Sequence, residues 1–502
     1  MIRVLLIAAA AFMTLGAAKS EVIDYRLTVS PDANGPPVLD VEIRLRGDTD
    51  GETRIILPGA AISEPTVTGA TTSTPDVGYR LLRHRPGAKL TIRYRLRAAG
   101  SRANALAVSG ADVFAVPEGR DEQAALVSWR RLPKEWRSLS DLEPARAPTV
   151  ADIGDAVLLA GPDLQVAQRE IPGGALHAAV LGRAADATRL AEIAAPLVSA
   201  QRAFWAEASG TFLVVTGFPA ASARASSLML PSNILNRSDP SAEIAQALTR
   251  AWIQHRLGGP SKNAGIVDGF AGFYADRIRL RAGLLPHSAA VSSLATADTR
   301  GDAASRGAIL ALKWDEDIRR KSGGKLDLDD VVLRMADHYR RFPAGQGPDV
   351  ITGLVSAAWV TAGLDLRPDI ARYAEGGAVI PLPETMLDGC LDARVTVSPG
   401  FDPGFDAAGS FVVKMVRGVR RGGPAWNSGL RNGMILDTWT FTAGDMNREI
   451  VLAIRPPGKR ARPRTIRFWP YGDVDVETRR LQMAVGLSAA ANAACALRIG
   501  GL

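Results

Sequence analysis

The sequence predicts a multidomain α+β protein, with an N-terminal β domain, a mainly helical middle and a small C-terminal β domain. Two observations carry this. The apolar period changes from about two residues to the helical 3.6 near Leu190 and returns to short β runs near Leu387. The chain of 502 residues is also too long for one hydrophobic core and divides at ordinary domain size into about three.

The N-terminus begins Met-Ile-Arg, continues with the apolar run Val4 to Leu15 and reaches Gly16-Ala17-Ala18 before Lys19. This is the pattern of a secretory signal peptide, with cleavage expected after Ala18. The run is too short to span a bilayer core of about 30 Å. The mature protein is therefore expected in the periplasm or outside the cell, the alternative being an uncleaved N-terminal anchor.

Residues 19–182 read as the β domain. Leu39, Val41, Ile43 and Leu45 alternate with mostly charged residues, and Thr53 to Leu57 and Leu90 to Leu96 are further β runs between Pro/Gly turns. Residues 183–386 read as helices, over Leu190 to Ala208, Ala242 to Leu257, Gly269 to Leu284, Ala308 to Lys321 and Leu328 to Arg341. In residues 387–474 the β runs are Phe411 to Val416, Ile435 to Phe441, Ile450 to Ile454 and Thr465 to Trp469, and the tail over 475–502 reads as helical from Thr478.

Composition is that of an ordinary globular protein with a formal charge of +8. The basic residues are spread along the whole chain, which argues against a nucleic-acid footprint. The densest cluster runs from Arg455 to Arg467 between two strand-like runs. It reads as a solvated hairpin loop, with contact to a membrane surface or anionic polymer as the alternative. The two cysteines, Cys390 and Cys495, bracket the C-terminal region; an oxidising compartment permits them to pair, and two separate buried thiols are the other possibility.

Residues 246 to 252 read Gln-Ala-Leu-Thr-Arg-Ala-Trp. They match the frame H-E-x-x-H-x-W, in which two histidines four apart on one helical face bind zinc and the Glu between activates water. Downstream, Ile266-Val267-Asp268-Gly269-Phe270-Ala271-Gly272-Phe273-Tyr274 resembles the W-x-x-E-G-F-A-x-Y segment of the gluzincin peptidases, and Arg279 to Leu284 is similar to its L-x-R-A-G-L continuation. The spacing from Arg250 to Asp268 is one residue short of the aminopeptidase branch, a difference that the loop Gly258 to Gly265 would absorb. Arg306-Gly307-Ala308, Ser322-Gly323-Gly324-Lys325, Leu328-Asp329-Asp330-Val331 and Leu132-Pro133-Lys134-Glu135-Trp136 resemble segments of the glycyl aminopeptidase family. Gly422-Gly423-Pro424-Ala425 through Gly429-Leu430 to Gly433-Met434-Ile435 looks like a bacterial PDZ pattern, with a faint carboxylate-loop counterpart at Gly404 and Phe405.

This resemblance implies ligand positions at Gln246, Arg250 and Asp268, a general base at Ala247 and an oxyanion donor at Ala304. The chemistry is absent from them. Gln246 is a poor neutral ligand, Arg250 is permanently cationic, and Ala247 and Ala304 offer neither base nor donor. Zinc is therefore expected to be absent, with no other cofactor, and Arg250 is expected to form a buried ion pair with Asp268.

No alternative site emerges. The histidines are His84, His177, His255, His287 and His338, with no pair at metal-ligand spacing. His255 lies on the altered helix, but at about 100° per residue it faces away from Arg250. Ser226 and Ser227 lack a G-x-S-x-G or S-x-x-K context and read as loop or cap serines. The function expected is that of a non-catalytic peptidase homologue binding a peptide or protein partner through its cleft, its PDZ-like domain or both. The alternatives are an active metallo-aminopeptidase with an atypical site and an envelope-associated protein binding anionic surfaces.

Overall fold

The computed structural model describes residues 22–501 apart from 33–34, 73–77, 99–103, 143–147, 208–209, 225, 259–262, 343–346, 447 and 458–461, and apart from the side chains of 185, 255, 396, 398 and 476–478. The expected signal peptide, the centre of the Arg455–Arg467 segment and the side chain of His255 lie outside the described residues.

Three sheets build the N-terminal unit. One has the order Ala125–Arg131, Ile23–Ser30, Val38–Arg46, Lys89–Arg97, Thr66–Thr68; another has the order Ala70–Thr72, Tyr79–His84, Glu52–Ile56, Val116–Pro117; a small one has the order Arg137–Ser140, Val157–Gly161, Leu106–Ser109. The alternation read from the sequence determines which side is covered: Leu39, Val41, Ile43 and Leu45 are all buried, with Ile55 and Leu82 in the same core. The opposite face carries cross-strand charge pairs, among them Arg93 with Glu42 and Arg95 with Asp40.

The strands Leu164–Ile171 and Gly174–Leu181 end before the boundary expected at residue 182 but pair with strands beyond it. They begin the sheet of the second unit, of order Leu164–Ile171, Gly174–Leu181, Phe212–Phe218, Ser227–Pro231, Ser222–Ala223. Its three middle strands are parallel. A parallel pair needs a crossover, here the helix α1 (Ala184–Trp205).

Six more long helices follow: α2 (Pro240–Arg256), α3 (Ala264–Arg281), α4 (His287–Arg300), α5 (Ala303–Ser322), α6 (Leu328–Tyr339) and α7 (Val350–Ala362). The five helices expected from periodicity correspond to α1, α2, α3, α5 and α6. α4 and α7 escape that reading, since α4 is rich in Ser and Thr and α7 is apolar on most sides, exposing Trp359 and Val360.

Charge locks the helices together inside the core. Arg277 of α3, 2% exposed, donates to Asp315 of α5 at 2.8 Å and to Asp329 of α6 at 2.7 Å. Asp315 also accepts from Arg319 at 3.1 Å and from the backbone N–H of Leu328 at 2.9 Å. Arg281 binds Asp329 and donates to the carbonyls of Gly500 and Gly501, which seats the end of the chain on this cluster.

The C-terminal region differs from its expected layout. Two short helices, α8 (Ala407–Val413) and α9 (Pro424–Asn427), lie between Leu391–Phe401 and Tyr471–Met483, which pair as a long antiparallel ribbon, so the tail is a strand to Met483 and becomes helical only at α10 (Ala489–Gly500). The ribbon carries a small unit of three strands, Ile435–Thr440, Ile450–Arg455 and Arg464–Phe468, with α8 and α9. The β run expected over Phe411 to Val416 is instead α8 through Val413, because the Asp406 side chain accepts from the Gly409 N–H at 2.9 Å and caps a helix there. Cys390 and Cys495 form a disulfide, with Cα atoms 5.3 Å apart, that holds α10 against the start of the ribbon.

Candidate functional site

Helix α2 starts because Asp239 accepts from the Ala242 N–H at 3.2 Å and Pro240 occupies the first turn. One face is buried through Ile244, Ala245, Leu248, Trp252 and Ile253. Trp252 stacks on Phe212 with ring centroids 5.5 Å apart and donates to Glu207 at 3.1 Å. Thr249 is fixed by Gln201, which donates to it at 2.6 Å and accepts from Trp205 at 2.8 Å. The opposite face therefore has one orientation. It places Glu243, Gln246, Ala247, Arg250 and Gln254 along a groove of about 510 Å³, whose far wall is the edge strand Ser222–Ala223.

Arg250 and Asp268 meet across the helices, Nη2 to Oδ1 at 2.8 Å. The expected ion pair is thus formed, but its burial is not: the two side chains are 43% and 41% exposed. A groove wide enough to admit a ligand also admits water. Arg250 Nε is buried without a hydrogen-bond partner among the described residues, so the head of the side chain is satisfied on one side only.

Close helix packing sets the place of Asp268. A Cβ on Gly269 would lie 1.8 Å from the carbonyl oxygen of Ala304, and one on Gly307 would lie 2.4 Å from that of Ile266. α3 and α5 therefore touch backbone to backbone, which brings Ala304 against the residue following Asp268. Ala304 is itself exposed and presents only a methyl group.

This arrangement does not fit zinc. A guanidinium cannot ligate a metal, it engages the carboxylate of Asp268, and Gln246 adds a weak neutral oxygen. Among the described residues no group of three His, Cys, Asp or Glu is placed to hold a metal ion. His84 and His287 are engaged elsewhere, with Thr53 at 2.9 Å and Asn492 at 3.0 Å.

Ser227, Gly404 and Phe405 do not line this groove. Ser227 is fully buried and donates to Asp141 at 2.6 Å, joining the sheet of the second unit to the segment that leads out of the N-terminal unit. Asp141 also accepts from the Val157 N–H at 2.8 Å, and burial pushes its carboxyl above the ordinary carboxylate range. Gly404 has φ +72°, donates from its N–H to Asp402 at 2.7 Å and packs on Pro424, while Phe405 is buried beside Phe411 and Phe468. In the basic segment Arg455 pairs with Asp437 at 2.9 Å and Arg467 with Glu449 at 3.3 Å, at the two strands of a hairpin. The edge strand Ser222–Ala223 escaped the sequence reading because two residues carry no periodic signal.

Comparison with known structures places this geometry in a fold. An aminopeptidase N family protein from Idiomarina loihiensis matches at a TM-score of 0.63 and 14% identity, over 95% of this chain and all of that one. An M1 zinc metallopeptidase from Deinococcus radiodurans matches at 0.49 and 14% identity, over 73% of this chain and 96% of that one. Yeast LTA4 hydrolase in complex with bestatin matches at 0.42 and 11% identity, over 72% and 68%. A scan against protein-family models and a search of curated proteins found no match. Over 95% of its length, then, the chain shares the fold of the Idiomarina loihiensis aminopeptidase N family protein.

Proposed function

We propose that this protein is an exported, non-catalytic peptidase homologue that binds an extended peptide or protein segment in the groove beside α2. The observation that carries the reading is the Arg250–Asp268 pair, formed by two residues that the sequence resemblance aligns with zinc-ligand positions. Ala247, at the position that the sequence resemblance gives to the general base, offers no group to activate water. The shape suited to a peptide is kept. Ser222–Ala223 pairs on one side only and leaves a sheet edge open beside the groove, to which an extended chain adds as a further strand.

The small C-terminal unit is read as PDZ-like on its glycine-bounded α9 segment. Helix α8, not a strand, follows Gly404 and Phe405, so the groove at α2 is the preferred peptide site.

The test pairs two measurements on the purified mature protein. Fluorescence polarisation with a random peptide library is expected to detect binding that Ala247→Trp weakens at least tenfold by filling the groove, with no hydrolysis of the bound peptide. One stoichiometric zinc, lost on chelation together with peptide hydrolysis, would overturn the reading in favour of an active enzyme. Binding untouched by Ala247→Trp would place the partner elsewhere and sink the groove assignment.

A further inference from the structure

The outer face of the first N-terminal sheet carries more positive charge than its ion pairs use. Strand register lays two polar rows across it. Arg26, Glu42, Arg93 and Thr66 stand opposite one another in the first; Thr28, Asp40 and Arg95 form the second, where Ser63 accepts from the Arg95 N–H at 2.9 Å. These positions alternate with the buried Leu39, Val41 and Ile43, so both rows lie on the side away from the core. The register of Ile23–Ser30 against Ala125–Arg131 slips between Leu27 and Thr28, and the extra residue there, Arg130, turns to the first row and reaches Glu42 at 3.5 Å.

Glu42 is the centre of this face. It is 5% exposed; its Oε1 accepts from Arg44 at 2.6 Å, and its Oε2 lies 2.7 Å from Arg93 and 3.5 Å from Arg130. Arg26 pairs with Asp24 at 2.7 Å and Arg95 with Asp40 at 2.8 Å. Five guanidiniums therefore stand over three carboxylates, an excess of two positive charges, and Arg93, Arg95 and Arg130 are each more than half exposed. A guanidinium has five N–H donors, so one or two bonds to a carboxylate leave donors turned outward. Over the two rows lies a groove of about 320 Å³, whose lining adds Ser63, Glu64 and Thr66.

The lining names the class of occupant. Guanidiniums in a row suit carboxylates spaced along a chain, each of which accepts a forked pair of hydrogen bonds. Acids and hydroxyls share the same walls: Asp40 and Glu64, the latter 77% exposed, with Thr28, Ser63 and Thr66. A densely sulfated chain or an anionic bilayer would meet those acids as like charges, whereas the hydroxyls of a sugar donate to them. Single-stranded nucleic acid needs rings on which its bases stack, and the aromatic residue in the lining, Tyr94, is 4% exposed and donates its hydroxyl inward to the Val113 carbonyl at 2.7 Å. We propose that this groove binds a polyuronate, a polysaccharide with a carboxylate on each sugar, its carboxylates on Arg93, Arg95 and Arg130 and its hydroxyls on Asp40, Glu64 and Thr66. The site lies on the N-terminal unit and does not depend on the function proposed for the α2 groove.

The experiment is calorimetric titration of the mature protein at low salt with polygalacturonate, beside dextran, heparin, phosphatidylglycerol vesicles and oligo-dT. Polygalacturonate is expected to bind, more weakly as salt rises, and uncharged dextran is not. Arg95→Gln and Arg130→Gln leave Glu42 with Arg44 and Arg93, so the fold is kept, which an unchanged circular dichroism spectrum and Tm verify. Each should weaken polygalacturonate about two- to fivefold, and the double variant about tenfold. Arg467→Gln, in the basic hairpin of the C-terminal unit, should leave binding unchanged. No binding of polygalacturonate to the parent protein would overturn the proposal, as would equal affinity in the double variant, a loss in Arg467→Gln instead, or equal binding of dextran. Heparin, vesicles or oligo-dT held as tightly through the same arginines would also overturn it, because the face would then read charge alone.

Discussion

Arg250→Ala, Asp268→Ala and the double variant form a cycle whose coupling energy reports what the pair at the groove is worth. The side chains meet at 2.8 Å, and with 43% and 41% exposure water screens them. Exposed pairs of this kind couple by about 0.2 to 1 kcal/mol, whereas a fully buried pair loses about 3 to 5 kcal/mol when one partner is removed. The single variants should also differ in order. Arg250→Ala deletes a buried Nε that has no partner among the described residues, and so removes a desolvation cost along with the ion pair. Asp268→Ala leaves that cost in place and strands the cation, so it should be the more destabilising of the two. Urea unfolding followed by tryptophan fluorescence measures the cycle, provided the slope against denaturant is common to all four proteins. A coupling above about 2 kcal/mol would refute the argument, because it would require the pair to be shielded from water.

Four further predictions follow from the structure. Asp315→Ala removes the acceptor shared by Arg277, Arg319 and the Leu328 N–H in the core; it should cost about 3 to 5 kcal/mol, or about 6 to 20 °C in Tm by scanning calorimetry, and a shift under 2 °C would contradict the role given to this cluster. Cys390→Ser opens a link between residues 105 apart in sequence and should cost about 2 to 5 kcal/mol, with α10 becoming accessible to limited proteolysis; an unchanged cleavage pattern would count against it. The Asp141 carboxyl is raised chiefly by burial, so its protonated form is favoured in the folded state: its contribution is present at pH below the ordinary carboxylate range and is lost as pH rises through the raised folded value. The stability difference between the parent protein and Asp141→Asn should therefore change with pH across that window, and a flat difference would be inconsistent. Finally, Gln246→His, Ala247→Glu, Arg250→His and Asp268→Glu combined should bind one zinc per chain by atomic absorption, since α2 presents the first three positions to the groove; a variant that folds and takes no zinc would show that the frame is not aligned as argued.

Much of the site was legible before the fold. The spacing of Gln246, Ala247 and Arg250 with Trp252 implied one helical face toward a cleft and one toward the core, and α2 has that division. Asp268 lies in another segment, and its pairing with Arg250 followed from a resemblance plus the charges of the two residues. Burial of the pair was misjudged, since exposure depends on what stands opposite the helix. The two-residue edge strand carries no pattern at all. The Gly265 and Gly269 spacing in α3 acquires meaning only when α5 is laid against it.

What the sequence by itself determined is local and periodic: the alternating strands of the N-terminal unit, five helices of the middle region, and the absence of His at positions 246 and 250 and of an acid at 247. These follow from side-chain identity and spacing, which hold however the chain is folded. Tertiary structure alone decided three other things. It paired Leu391–Phe401 with Tyr471–Met483 across the small unit, gathered Arg277, Asp315, Asp329 and the Gly500 carbonyl into one buried cluster, and left the Arg250–Asp268 pair open to water. The physical reason is common to all three. Ribbon register, charge desolvation and solvent access are properties of surfaces that meet from distant parts of the chain, and no local pattern records which surfaces meet.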